Sequence, residues 1–374
     1  MMTSAIEQAQ PERSAAGVGG IAAGRPSRAP CRVSGLTRDG ETAWAEFVAR
    51  HREGSLFHTL EWRNAVRATF GHEDLYLLAE SSGRTRGLLP LFLVASKVAG
   101  RMLVSVPYGV GGGILADDDE VAAALFARAL ELAKENRCRC IDLRSERAAL
   151  PNVPVNDRYV VFRRELPDRL EDVLTWLPRK ARAAARNGRD KFGLAVSYGH
   201  EHLREVWRLY AINMRRLGSI CYPYRFFAAL LAAMPDRTRV SLITRDGAPV
   251  AGLMSFAFKD VMIPYFFGAT DDARRFSAAN FAYFSLAERA VHEGCRIFDF
   301  GRTRRDNAGS FDFKRFHGFE PKPLDYQTWT LPPHAPADLS PSNPAFALAR
   351  RVWPHLPLWL TRVAGARLAK HIPG

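Results

Sequence analysis

Two stretches late in this 374-residue chain carry side chains suited to acid–base and anion chemistry. Phe298-Asp299-Phe300-Gly301-Arg302 closes a predicted strand over residues 296–300, and Phe313-Lys314 follows it. Asp299, at the strand end where site residues gather, can hold or deprotonate an amine. It can equally cap the next turn, because Asp142 holds the matching place earlier in the chain. Arg302 can grip both oxygens of a phosphate or carboxylate, although Arg144 is its counterpart. Lys314 offers an ammonium, which stabilises a forming oxyanion whether or not its proton moves; the plainer reading is a solvated lysine behind an aromatic anchor. His317 and Glu320 are further acid–base candidates, with His317 equally readable as a ring packed beside Phe316.

Other groups are suited to binding. Arg274-Arg275-Phe276-Ser277 precede a predicted helix, with Ser277 placed as its N-cap. A helix start with two arginines binds a diphosphate readily; the bland alternative is an exposed basic turn. Tyr108 and the glycines of 109–113, Gly111 and Gly112 at their centre, predict either a loop whose backbone approaches a flat ligand or a tight hairpin. Tyr265 sits on a predicted strand over residues 261–267, with a core ring and one polar tip. Covalent catalysis is not indicated: there is no Gly-x-Ser-x-Gly elbow, and Ser310 and Cys295 lack an evident base. The five cysteines form neither a secreted disulfide framework nor a zinc quartet, so no metal is expected.

The elements that position these groups occur twice, about 157 residues apart: Cys138-Arg139-Cys140-Ile141-Asp142 answers to Cys295-Arg296-Ile297-Phe298-Asp299. Each copy follows an Ala/Leu-rich helix (residues 121–135 and 278–293) and, before it, a hairpin (75–92 and 240–258) in which Gly87-Leu88 matches Gly252-Leu253. So long a period predicts two α+β halves rather than a solenoid, with a ligand in the crevice between them. The helix entrances differ in charge. Asp117, Asp118, Asp119 and Glu120 guard the first and would repel a phosphate, whereas the second carries the two arginines.

The formal charge of +14 calls for an anionic partner. Part of it is concentrated on a predicted helix over 178–187, which includes Lys180, Arg182 and Arg186. Another part lies in 345–374, five Arg/Lys without an acid, interleaved with Val352, Trp353, Trp359 and leucines. That tail reads as amphipathic helices resting on an anionic bilayer or as a basic helix packed back on the fold. The division expected is a disordered tail over 1–35, a first domain over 36–165, a second over 166–332 and the basic C-terminal tail over 333–374. No apolar stretch is long enough to span a bilayer, and a cytoplasmic location, peripheral on the inner membrane, is expected.

The Asp-Phe-Gly-Arg strand end, the Phe313-Lys314 pair and the turn Gly318-Phe319-Glu320-Pro321 together resemble the signature of FemAB-like proteins of the GNAT-like acyltransferase superfamily, most of all the subgroup associated with exosortase (PEP-CTERM) systems. Lys180-Ala181-Arg182 with Arg186 is similar to that family's basic segment, and the resemblance runs over about 57–326. Two departures stand out: Thr303-Arg304-Arg305-Asp306-Asn307 is more basic than the pattern, and Ser277-Ala278-Ala279-Asn280 lacks its Ser-Pro-Gly. The resemblance implies two tandem GNAT-like domains around a central cleft, in which mixed, mostly antiparallel sheets are flanked by helices. It implies acyl or aminoacyl transfer to an amine of an envelope or exopolysaccharide precursor, with acyl-CoA or aminoacyl-tRNA as co-substrate and no tightly bound cofactor. Lys314 and Phe313 would then be catalytic with Asp299; Arg302, Tyr108, Gly111, Gly112, Tyr265, Lys180, Arg182 and Arg186 would bind substrate; and Arg274, Arg275 and Ser277 would hold donor phosphates. The implied acceptor is an anionic saccharide, phosphorylated or lipid-linked. The competing classes are a non-catalytic RNA binder, whose affinity would fall steeply with salt, and a membrane-associated scaffold that kept the fold alone.

Overall fold

The computed structural model describes residues 31–332 and 347–373. The first half begins with strand β1 (Arg32–Gly35), helices α1 (Glu41–Arg50) and α2 (Leu60–Phe70) and the short β2 (Glu73–Asp74). The hairpin β3 (Leu77–Ser81)–β4 (Arg84–Leu89) follows, then β5 (Phe92–Ser96), β6 (Gly100–Val104) and β7 (Leu115–Ala116). Helix α3 (Asp119–Glu135), β8 (Cys140–Leu143) and β9 (Val155–Asn156) close it.

The second half opens with β10 (Tyr159–Glu165), α4 (Val173–Trp176), α5 (Arg179–Arg186) and β11 (Leu194–Tyr198). Helices α6 (Leu203–Arg216) and α7 (Tyr224–Ala233) lead to β12 (Thr238–Arg245), β13 (Ala248–Phe258) and β14 (Val261–Ala269). Then come α8 (Ala278–His292), β15 (Ile297–Arg304), α9 (Ala308–Phe316), β16 (Pro321–Pro323) and β17 (Tyr326–Thr330). Helices α10 (Ala347–Val352) and α11 (Leu358–Ala369) end the chain.

The repeat read from the sequence is a repeat of structure. Each half has a hairpin turned by two residues of positive φ, Ser82-Gly83 and Asp246-Gly247, the turn whose twist matches that of the strands. Gly87 and Gly252 serve the same end: a Cβ on either would come within 2.8 Å of a valine, Val121 or Val206, on the helix packed above. Both long helices feed a strand that lies parallel to an earlier one, β6 with β8 and β14 with β15.

The second half builds one seven-stranded sheet in the order β11-β12-β13-β14-β15-β10-β16. In the first half the equivalent strands fall into two sheets, β1-β3-β4-β7 and β2-β5-β6-β8-β17-β9. The break comes between β4 and β5 at Pro90, which cannot donate to a ladder. The expected boundary at 165/166 is crossed both ways. β10 pairs with β15 and β16 in the second sheet, while β17 returns to pair with β8 and β9. A further correction is that Arg32–Gly35 pairs with β3 and is no part of a disordered tail; residues 1–30 lie outside the described residues.

Three apolar cores follow from this layout. One lies under α3 and one beneath α5 and α8, while the largest, including Trp62, Phe92, Phe226, Phe256 and Tyr326, is shared by both halves.

Candidate active site

In the second half, β14 and β15 pair only through Val261–Ile297 and Met262–Phe298 and then separate. Both run on, β14 to Ala269 and β15 to Arg304, so their C-terminal ends form an open V. The first half has no such opening. β6 and β8 pair over three positions, and the chain beyond is stitched by Ser105 N–H to Asp142 O (2.9 Å), Arg144 N–H to Ser105 Oγ (2.9 Å) and Gly112 N–H to Arg144 O (3.0 Å). Unpaired strand edges present backbone donors and acceptors to any extended ligand. Only the later copy offers them here.

The sequence motif builds the opening. Gly301 adopts φ +69° with nothing within 4 Å of where a Cβ would stand, so it is conformation and not space that requires glycine. Asp299 is buried, and its Oδ1 accepts the Gly301 N–H at 2.7 Å, capping the bend. Lys314, from α9, is buried too, and its Nζ donates to three successive carbonyls: Phe300 O (2.7 Å), Gly301 O (3.0 Å) and Arg302 O (3.2 Å). An ammonium has three protons, and all three are engaged. Burial lowers the Lys314 pKa to about 7; Asp299 acts against that and Arg302 with it. The expected ammonium facing a developing oxyanion is therefore not what the fold provides. Lys314 gathers the turned end of β15, and Phe313 beside it packs on His317, Tyr283 and Phe300.

Asp299 is committed as well. Its Oδ2 accepts from Arg163 Nε at 2.6 Å, and the other end of that guanidinium binds both oxygens of Glu146. Glu146 belongs to the first half and Arg163 to β10, so this ion-pair chain ties the halves together directly behind the V. The repeat breaks at this point in an informative way. In the first copy Arg144 pairs with its own Asp142 at 3.1 Å. In the second, Asp299 is taken by Arg163, and Arg302 forms no ion pair with a carboxylate among the described residues.

Arg302 instead lies over the rings of Tyr159 (4.8 Å) and Tyr326 (5.8 Å), with Tyr265 and Tyr222 within electrostatic reach. Tyr326 is buried; Tyr159, Tyr222, Tyr265 and Arg302 are half-buried. A guanidinium on tyrosine faces without a counter-ion suits an anion that arrives from outside. Arg163, Glu146, Tyr159, Tyr222 and Tyr326 escaped the sequence reading. The only trace of Arg163 there is a charged run, Arg163-Arg164-Glu165, closing a strand that starts apolar.

The remaining candidates divide. Tyr265 Oη donates to Tyr108 O, and Tyr108, at φ +62°, is buried with its Oη 2.8 Å from His72 Nε2. Gly111 and Gly112 do not form a ligand-facing loop, nor a turn of positive φ. A Cβ on Gly112 would lie 1.9 Å from Val106 Cγ2 and one on Gly111 2.8 Å from Glu146 Oε1, and the Gly111 carbonyl accepts from Ser55 Oγ. Close packing is what calls for glycine there. His317 is buried, with Nδ1 2.8 Å from Phe313 O and its pKa lowered to about 4 by burial. Glu320 is exposed.

At the end of the V, β14 runs through a short turn (Ala273–Phe276) into α8. Ser277 stands at the N-cap position but at φ +57°, and its side chain caps nothing. The first-turn N–H groups of α8 thus stay open, and Arg274 and Arg275 beside them are exposed. By contrast, Asp118 caps α3 by accepting from Val121 N–H at 3.0 Å, and Arg86 holds Asp117 and Asp118. The basic helix reaches the same corner, because Gly188 lets the turn after α5 press against Phe281 and Phe276. Lys180 and Arg186 are exposed on α5, but Arg182 turns back to the carbonyls of Thr175 and Leu177 and secures the end of α4.

Residues 172–315 match the acetyltransferase (GNAT) domain family. The second half carries a GNAT domain. The fold as a whole is a tandem of GNAT-like units, and solved structures share it. FemX superposes with a TM-score of 0.61 at 14% identity, over 80% of this chain and 97% of that one. A tandem GNAT protein from the clavulanic acid biosynthesis pathway gives 0.53 at 14%, over 82% and 100%. The L-PGS of Bacillus licheniformis gives 0.51 at 12%, over 89% and 97%. No curated protein matches the chain by sequence. Within residues 172–315, the open V and the uncapped start of α8 are consecutive.

Proposed function

We propose that the protein transfers an acyl or aminoacyl group from an activated donor, acyl-CoA or aminoacyl-tRNA, to an amine of an anionic saccharide precursor of the envelope or an exopolysaccharide, in keeping with the exosortase-associated subgroup it resembles. The observation that carries this reading is the V that opens in the second half alone and leads to an uncapped helix start flanked by Arg274 and Arg275. The donor's phosphates fit that corner, and its carbonyl lies along the free edge of β14, where a backbone N–H polarises it. The acceptor's anionic group lies on Arg302 amid the tyrosines, which brings its amine to the mouth of the V. The amine nitrogen bonds to the carbonyl carbon, the carbon–sulfur or carbon–oxygen bond of the donor breaks, and the leaving thiol or hydroxyl carries away the proton the amine gives up. Lys314, Asp299 and Arg163 are positioning residues in this scheme. They hold the turned end of β15 and touch no reacting atom.

Isothermal titration of the full chain with CoA and, separately, with charged tRNA tests the donor. Saturable CoA binding that Arg275→Glu abolishes supports a thioester donor; binding of charged tRNA alone supports an ester donor. Binding of neither defeats the proposal.

A further inference from the structure

The C-terminal segment packs on the fold and presents a second surface. Helix α11 buries Thr361, Gly365 and Ala369, one turn apart, and Gly365 allows the backbone of Cys221 to approach where a Cβ would stand 2.7 Å from its carbonyl oxygen. Arg362 stacks on Trp207 at 4.1 Å. The end of the chain is fastened by Tyr108 N–H and Arg144 Nη1 to Pro373 O (2.7 and 3.1 Å) and by Ser96 Oγ to His371 O (2.7 Å). Of the two packings the sequence allowed, the tail takes the one on the fold, yet only one side of α11 is used. The opposite side presents Trp359, 65% exposed, Val363, Arg367 and Lys370.

Of the large apolar side chains exposed outside α11, Val155, Leu170 and Phe316 stand on other elements, and four lie around this segment. Leu348 and Val352 stand on α10. Leu217 precedes Gly218, which lies under the Arg350 carbonyl, and Val98 follows Lys97, whose N–H reaches His371 Nδ1 at 3.4 Å. Cations alternate with them: Lys97, Arg216, Arg351, Arg367 and Lys370 are all exposed. No acidic residue occurs between Ala345 and the end of the sequence.

We infer that this face docks the protein on an anionic phospholipid bilayer, with Trp359, Val363, Val352 and Leu348 entering the interface and the cations meeting lipid phosphates. The chemistry decides among occupants. A protein partner would be met by a rim of both signs, whereas isolated apolar side chains, an indole among them, on a segment that carries cations and no acid match the headgroup boundary of a negatively charged membrane. Because the helices are already packed on the fold, docking orders no segment of the described chain and is lateral. No helix among the described residues is long and apolar enough to cross a membrane. The inference does not depend on which donor or acceptor the V takes.

Sedimentation of the full-length protein with vesicles of phosphatidylglycerol and phosphatidylcholine, against phosphatidylcholine alone, provides the test. The anionic vesicles should bind at least tenfold more tightly, with affinity falling as salt rises. The exposed double variant Trp359→Glu/Val363→Glu should keep its thermal unfolding temperature while losing vesicle binding at least tenfold. Lys370→Glu should weaken binding about fivefold for each unit of charge changed. Equal binding to neutral vesicles, an undiminished double variant, or a dimer in sedimentation velocity that this variant dissociates would each overturn the assignment, the last by making the face a contact between copies of the chain.

Discussion

Replacing Lys314 by methionine separates a structural lysine from a solvated one. The substitution keeps the length and apolar stem but deletes the donor, leaving the carbonyls of Phe300, Gly301 and Arg302 without their shared partner. An orphaned buried polar group costs about 1–3 kcal/mol. The Phe300 bond is buried, and the other two are partly buried and within reach of water. The loss expected at pH 7 is therefore about 2–4 kcal/mol, after the offset from no longer burying a cation. A pH signature accompanies it. The folded pKa is lowered to about 7 from 10.5, so between those values the unfolded chain binds a proton that the folded chain does not, and this group's contribution rises with pH at up to about 1.4 kcal/mol per unit. The stability gap between wild type and Lys314→Met should thus widen from pH 7 to pH 9 and stay level below pH 7. Urea unfolding followed by tryptophan fluorescence at fixed pH measures it, with unchanged m confirming that the midpoints report stability. A loss under about 1 kcal/mol, or a gap that narrows as pH rises, would refute the role given to Lys314.

Other expectations follow from the same geometry. Arg163→Ala leaves Asp299 and Glu146 without their bridge and should destabilise by about 2–4 kcal/mol, seen as a lower urea midpoint. Gly301→Ala places a side chain at φ +69° and should cost about 1–2 kcal/mol while weakening donor binding in titration calorimetry. Arg302→Gln removes a half-buried charge without a carboxylate partner, so stability should hold within about 1 kcal/mol while binding of a phosphorylated saccharide is lost; retained binding would move the acceptor elsewhere. Arg182→Ala should leave tRNA and CoA binding unchanged and lower the thermal midpoint, since its donors serve α4 rather than a ligand.

Much of the fold was legible because its causes are local. Ala/Leu periodicity, acids at the start of α3 and paired turn residues specify helices and hairpins over a few positions, and the duplication of Cys138–Asp142 at Cys295–Asp299 announced two related halves. The sheets that β10 and β17 join were not legible. A strand's sequence records which face is buried, not which sheet it joins.

What the chain determined alone was the inventory: a strand ending in Asp299, Gly301 and Arg302, a lysine after it, and two helix entrances of opposite charge. What only the tertiary structure decided was how those groups pair. Asp142 and Asp299 occupy equivalent positions, yet one neutralises Arg144 and the other Arg163, and this leaves Arg302 without a carboxylate partner among the described residues. Ion pairs form through space, between elements far apart in the chain, and the energy of an ion changes by several kcal/mol with the partner it meets on burial. Residue type fixes what a group can do; its surroundings fix whether that capacity is already in use.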